Sequence, residues 1–289
     1  MSGAVTASRP TRPTRRWAVL VNVGFIALFV VCAWGVEPNW DRIATAPESI
    51  VRYGGLMLGG LFQNPFTEPW SAFWLDALAE MGKSIAMAWI GTLIASALSL
   101  PLAILAASNT APRWVVIPLR QILNLLRSIP DVLFAIVLFM PLYGLGPLAG
   151  ALALGIGSIG SLGKLSYEVI EGMPAQPIEA VRSTGARPLQ VMRWGVLPQV
   201  MPEIVAFWLY RFEINIRAGA ILGAIGAGGI GSALKTNFQD RNWDEIGIQL
   251  LVVIVLTVAV DSISAAVRHR IIGGGRAREL PRAEAAATV

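Results

Sequence analysis

Four arginines stand inside long apolar runs of this sequence, Arg120, Arg127, Arg211 and Arg217, and they are the residues with the most chemistry to offer. An arginine at the centre of a membrane-spanning helix costs about 2.5–3.5 kcal/mol on insertion scales, so it faces protein or water rather than lipid. Its guanidinium is always charged, and the planar fork matches anion oxygens in bidentate fashion. Arg127 directly precedes Ser128-Ile129-Pro130, where a proline interrupts the helix and frees backbone groups. Arg127, Ser128 and Arg217 are therefore expected to line a path that favours an anion. Internal ion pairing is the competing use: Glu213 can pair with Arg211, or with Arg217 four residues on, which shares its helix face. Arg120 is expected to snorkel toward the cytosolic surface.

Other chemistries find no residues to carry them. The chain has one cysteine, Cys32, and one histidine, His269, which together cannot build a zinc site of the usual kind, so no metal is expected. Cys32 reads as a small buried apolar residue. No intramembrane pairing of base and nucleophile is visible, so no catalytic residue is expected. Gly226, Gly228 and Gly231 spell G-x-G-x-x-G, but no strand precedes them, and a dinucleotide site needs that context. Together with Gly229 they read as a flexible gate or as close helix packing, with Gly219 and Gly223 as a small-residue pair. No G-x-x-x-x-G-K-[ST] run occurs, so the chain does not hold ATP in the Walker manner. The pI near 9.9 does not imply nucleic acid, because the basic residues gather at the ends of apolar runs, where they anchor topology.

The elements that must hold these residues follow from composition. The 289 residues are 55% hydrophobic and 14% charged, against about 25% charged in a soluble domain. Several runs reach the roughly 20 apolar residues that a bilayer crossing needs, and helices satisfy their own backbone groups in lipid. An all-α integral membrane protein of about six spans is expected. Residues 1–16 form a basic tail, 17–36 the first crossing, 37–80 an external segment with an interfacial helix near 50–61, 81–265 a helical core, and 266–289 a second basic tail. Within the core, crossings are expected at 84–107, 130–143, 148–165, 199–217 and 246–267, with a helical piece before the Pro130 break. The first run is longer than a signal-peptide core and no cleavage site follows it, so no cleavable leader is expected. With both termini in the cytosol, cytosolic segments carry 14 Lys and Arg and external ones 5, in line with the positive-inside rule. Counting 218–234 as a full crossing would place the basic tail outside, so that stretch is expected to be a glycine-bent half-helix lining a cavity.

Between the fourth and fifth crossings the chain reads Glu179-Ala180-Val181, three residues, Gly185, nine residues, Gly195, then Leu197-Pro198 after one more. Pro177 can open a helix, Glu179 suits its first turn, Gly185 ends it, and Pro188 starts a second helix that Pro198 delivers into the membrane. This pattern resembles the E-A-A loop of ABC importer permeases, with Val181 in place of the second alanine and Gly195 in place of the usual isoleucine. Ser84, Met87, Ala88, Gly91-Thr92 and Pro101-Leu102 resemble the opening crossing of that family's core. Arg127-Ser128-Ile129-Pro130, Lys164, Glu168, Glu171, Arg217, Leu222-Gly223 and the run from Gly226 to Gly231 resemble its phosphonate-type members.

The resemblance implies a type I importer permease in the plasma membrane, carrying phosphonate, phosphite or phosphate inward. Its partners would be a second copy of the chain, two ABC ATPase subunits that hold ATP and Mg, and an external substrate-binding protein. Glu179, Ala180, Gly185, Leu197 and Pro198 would couple to the ATPase. A methionine- or betaine-type importer of the same architecture, or a passive channel, is the alternative.

Overall fold

The computed structural model describes residues 15–36 and 39–276, and every regular element among them is a helix. Residues 1–14 and 277–289, which hold most of the two expected basic tails, lie outside the described residues.

The chain divides after Gly55. The first unit holds α1 (Arg15–Gly35), α2 (Trp40–Ala44) and the start of α3 (Ala46–Leu61). From Trp17 to Gly35 α1 has no charged residue and exposes nearly all its side chains, as a helix solvated by lipid does. Cys32 is exposed on α1 rather than buried. The Asn39 side chain caps α2 by accepting from the Arg42 N–H at 3.1 Å.

The second unit is a bundle of α4 (Trp70–Ala106), α5 (Arg113–Ser128), α6 (Asp131–Leu133), α7 (Met140–Tyr143), α8 (Pro147–Gly172), α9 (Gln176–Arg182), α10 (Pro188–Val191), α11 (Leu197–Leu222), α12 (Ile230–Asp240) and α13 (Trp243–Arg276). π-helical turns at Phe134–Phe139, Met192–Val196 and Gly223–Ala227 join several of them. Across the described residues four helices are long and apolar enough to cross a bilayer, and six spans result if each of two bent pairs is one span. The bends are 84° between α5 and the α6–α7 stretch and 57° between the helix containing α11 and α12.

Element bounds differ from expectation where no breaker stands. No proline interrupts Trp70–Leu100, so α4 starts 14 residues before Ser84 and runs for 37 residues. At about 1.5 Å per residue it exceeds the roughly 30 Å hydrocarbon core. α8 continues past 165 to Gly172 and takes in Glu168 and Glu171. The glycine-rich stretch 218–234 is divided: its first part completes α11, and α12 begins only at Ile230.

α8 is the hub. Two thirds of its spanning window is buried, against 11% for α13. Its small residues let neighbours approach: a Cβ on Gly91 of α4 would lie 2.9 Å from Ala151 O, and one on Gly160 of α8 would lie 2.7 Å from Arg127 N of α5. Leu123, Leu154, Leu162, Ile170 and Ile204 are fully buried around it.

Candidate functional site

At one end of the bundle α9 and α10 form a helix–turn–helix. Glu179 and Ala180 are exposed on α9, whose last turn closes through Ser183 N–H to Glu179 O at 2.9 Å. Gly185 then adopts φ +76°, a left-handed conformation that glycine takes without the Cβ clash of other residues. The Arg187 N–H donates to Gln190 Oε1 at 2.8 Å and holds the first turn of α10. Leu197 and Pro198 open α11 directly after the π-helical turn Met192–Val196, into which the Leu197 N–H donates at Met192 O. The two departures from the family pattern face one another. A Cβ on Gly195 would lie 3.6 Å from Val181 Cγ2 and 3.7 Å from Ile178 Cα. The larger residue at 181 and the smaller at 195 exchange volume across one contact, so the two helices of the loop still close.

The same end is tied to the α4–α5 turn. Glu171 accepts from the Ser108 N–H at 2.6 Å, and the Asn109 side chain donates to Ile170 O at 2.7 Å. The Arg120 head lies at this same end: it pairs with Glu171, donates from Nε to Ala106 O at 2.9 Å, and lies 4.4 Å over the Tyr167 ring.

Inside the bundle the chain breaks at Ser128-Ile129-Pro130. Arg127 and Ser128 end α5, both exposed, and Arg127 has no ion-pair partner among the described residues. On the far side of the break Asp131 starts α6 and pairs with Arg211 of α11 at 3.0 Å, with side chains 20% and 14% exposed. Arg211 Nε donates to Ser158 Oγ at 2.7 Å, Ser158 to Asn215 Oδ1 at 3.3 Å, Asn215 Nδ2 to Thr92 Oγ1 at 2.9 Å, and Thr92 to Ala88 O at 2.7 Å. Each hydroxyl accepts one bond and donates the next. The chain thereby joins α6, α11, α8 and α4 with its inner polar atoms paired.

Glu213 pairs with neither Arg211 nor Arg217. Its partner is Arg268 of α13 at 2.5 Å, and Arg217 pairs with Asp261 of α13 at 2.6 Å. α11 and α13 run antiparallel, so a step forward on one meets a step back on the other. This pairs both Glu213 and Arg217 across the helix interface, which a single contact along α11 could not do. Arg217 remains 55% exposed. Asp131 and Asp261 are the residues that sequence reasoning missed. Counting cations for topology passed over carboxylates within apolar runs, although each such acid calls for a nearby cation.

The glycine run makes the second break. Gly226, Gly228 and Gly229 all have positive φ, at +121°, +77° and +71°. Ser84 of α4 then caps α12, its hydroxyl accepting from the Ile230 N–H at 3.0 Å. A Cβ on Gly231 would overlap Ala220 O of α11, and one on Gly223 would lie 3.0 Å from Gly231 Cα. The five glycines therefore form a packed turn that brings α12 against α11.

Comparison with known proteins agrees with this architecture. The phosphite transport system permease protein PtxC of Stutzerimonas stutzeri is 40% identical over 196 residues, 68% of this chain and 70% of that protein. The phosphate-import permease protein PhnE of Mycolicibacterium smegmatis is 36% identical over 217 residues, 74% of this chain but 40% of that longer protein. Among solved structures the MetNI methionine ABC transporter in inward-facing conformations matches with a TM-score of 0.62 and 20% identity, over 71% of this chain and 99% of that one. Residues 99–273 match the family model described as binding-protein-dependent transport system inner membrane component, and with 40% identity to PtxC over most of both chains, this chain belongs to that family.

Proposed function

We propose that this chain is the membrane-spanning subunit of an ATP-driven importer that carries a phosphorus oxyanion, whether phosphonate, phosphite or phosphate, across the plasma membrane by alternating access. Relatives at 36–40% identity are named for phosphite or phosphate transport. The observation that carries the reading within this chain is Arg127, exposed and without an ion-pair partner among the described residues, at a break in an apolar span. An unpaired guanidinium there attracts an anion and matches its oxygens. Ser128 adds a hydroxyl beside it. Arg217 contributes more weakly, because Asp261 already takes part of its charge. The glycine turn at Gly226, Gly228, Gly229 and Gly231 serves by close packing, as the corner that holds α12 against α11, and not as a gate.

The energy comes from outside the chain. Two copies of it associate with two ABC ATPase subunits, which bind ATP and Mg, and an external binding protein delivers the solute. The loop holding Glu179, Ala180 and Gly185, with Leu197 and Pro198 behind it, docks on the ATPase in the cytosol, where both termini also lie. Because ATP favours one arrangement of the ATPase pair, closure draws the two loops together and shifts the permease toward the outward-facing state. One or two path arginines suit transport better than a dense cluster, since a site that holds its ion tightly releases it slowly.

Reconstitution with the cognate ATPase and binding protein tests this. ATP-dependent uptake of phosphite, phosphate or methylphosphonate is expected, and Arg127→Ala should lower it by about tenfold with assembly intact. Uptake of methionine with none of the phosphorus anions would contradict the substrate, and the methionine permease relatives at 28% identity keep that comparison in the assay. Flux without ATP would identify a channel.

A further inference from the structure

The break at Ser128-Ile129-Pro130 is held at both ends against α8, one helical turn apart. A Cβ on Gly160 would press on the Arg127 backbone, and one on Gly157 would overlap the Asp131 carboxylate. Between these points the chain has left the helical bonding pattern, and Pro130 has no N–H to restore it. Its direction beyond the break is set by the packing of Phe134, Ala135 and Phe139 with Leu154 of α8 and by what holds Asp131. That holder is Arg211, whose Nη2 reaches Asp131 at 3.0 Å while its Nε is taken by Ser158. Both donor directions of the guanidinium in use are filled, so its position is set.

Arg211 belongs to α11, and α11 begins at the loop. From Leu197 to Arg211 the helix is continuous, about 21 Å at 1.5 Å per residue, with Pro202 inside it. Pro202 removes one backbone bond without ending the helix, so a displacement of the loop is carried along α11 to Arg211. We infer that Arg211 and Asp131 are positioning residues: their ion pair makes the broken span follow α11, so that movement of the loop reaches Arg127. The pair has a second consequence. Arg211 neutralises Asp131, which leaves Arg127 as the unpaired charge beside the break. With Arg211 removed, a free carboxylate four residues from Arg127 would repel the anion that Arg127 attracts.

This rests on the importer reading, and one reconstituted system separates the two. The parent complex, with its ATPase and binding protein in proteoliposomes, is compared with Arg211→Gln, Asp131→Asn and the double variant. Solute imported per ATP hydrolysed is the readout, because a merely structural defect lowers uptake and hydrolysis together. Arg211→Gln should lower that ratio by about tenfold while binding-protein-stimulated hydrolysis stays within about twofold. Asp131→Asn should lower it less, and the double variant should do no worse than Arg211→Gln, since it leaves no uncompensated charge. A ratio equal to the parent's in all variants would overturn the positioning role. If a single variant fails to insert, the double variant decides, and its loss from the membrane as well would assign the pair to folding and overturn the proposal. Absence of ATP-driven uptake by the parent would instead refute the importer reading.

Discussion

Between Ser128 and Asp131 one span turns through 84°, and between Ala227 and Ile230 another turns through 57°. The first break is made by a proline; before it Gly160 packs on the Arg127 backbone, and beyond it the chain is held by side chains, where Asp131, Arg211 and Ser158 meet across three helices. The second is made by glycines and held by backbone, with Gly223 and Gly231 packed where a methyl group would meet main-chain atoms. A side-chain joint can be taken apart and remade as helices shift. A backbone joint resists any change of volume, since interiors packed this closely have little room to yield. The two breaks therefore suit different duties, a linkage in the first and a fixed corner in the second.

The same small substitution should separate them. Gly231→Ala, which meets Ala220 O, is expected to cost about 3 kcal/mol by forcing backbone apart, seen as a marked drop in thermal unfolding temperature in detergent. An unchanged transition would break the comparison. Gly157→Ala meets the end of the Asp131 side chain, which can rotate away. It should stay within about 1 kcal/mol of the parent in stability and yet lower uptake by about fivefold. Gly185→Val isolates the conformational part, because φ is +76° but nothing lies within 4 Å of a Cβ there. About 1–2 kcal/mol of local strain should distort the loop, lowering binding-protein-stimulated ATP hydrolysis while the amount of inserted permease is unchanged. The smallest effect belongs to Gly195→Ala, whose Cβ would make ordinary contacts at 3.6–3.7 Å. A gain of about 0.5 kcal/mol is expected there from reduced freedom of the unfolded chain.

How much of this could be read in the residues follows the same division. The loop from Glu179 to Pro198 was readable because each of its constraints is local: proline opens a helix, glycine ends one, and the spacing between them sets the turn. The break after Arg127 was readable for the same reason. The partner of Arg211 was not, since Asp131 lies 80 residues away and their meeting depends on how α6 and α11 both pack on α8. The Glu213–Arg217 contact, the competing use of these charges, does not form, and the reason is instructive. An i, i+4 pair on a lone helix is worth about 0.2–0.5 kcal/mol. An antiparallel neighbour that carries Asp261 and Arg268 two turns apart offers each residue a partner of its own. The fate of 218–234 was half readable: its glycines announced a bend, but only packing against Ser84 and Ala220 shows that the bend falls after Ala227.

Coupling requires that the turn between α9 and α10 face the cytosol, where an ATPase can push it. A single cysteine placed by Thr184→Cys, an exposed position beside Gly185 without its left-handed backbone, in a chain also carrying Cys32→Ser, can be probed in sealed membranes with an impermeant maleimide. Modification from the cytosolic face, blocked when the ATPase subunit is bound, is the predicted result. Modification from the external face would contradict it.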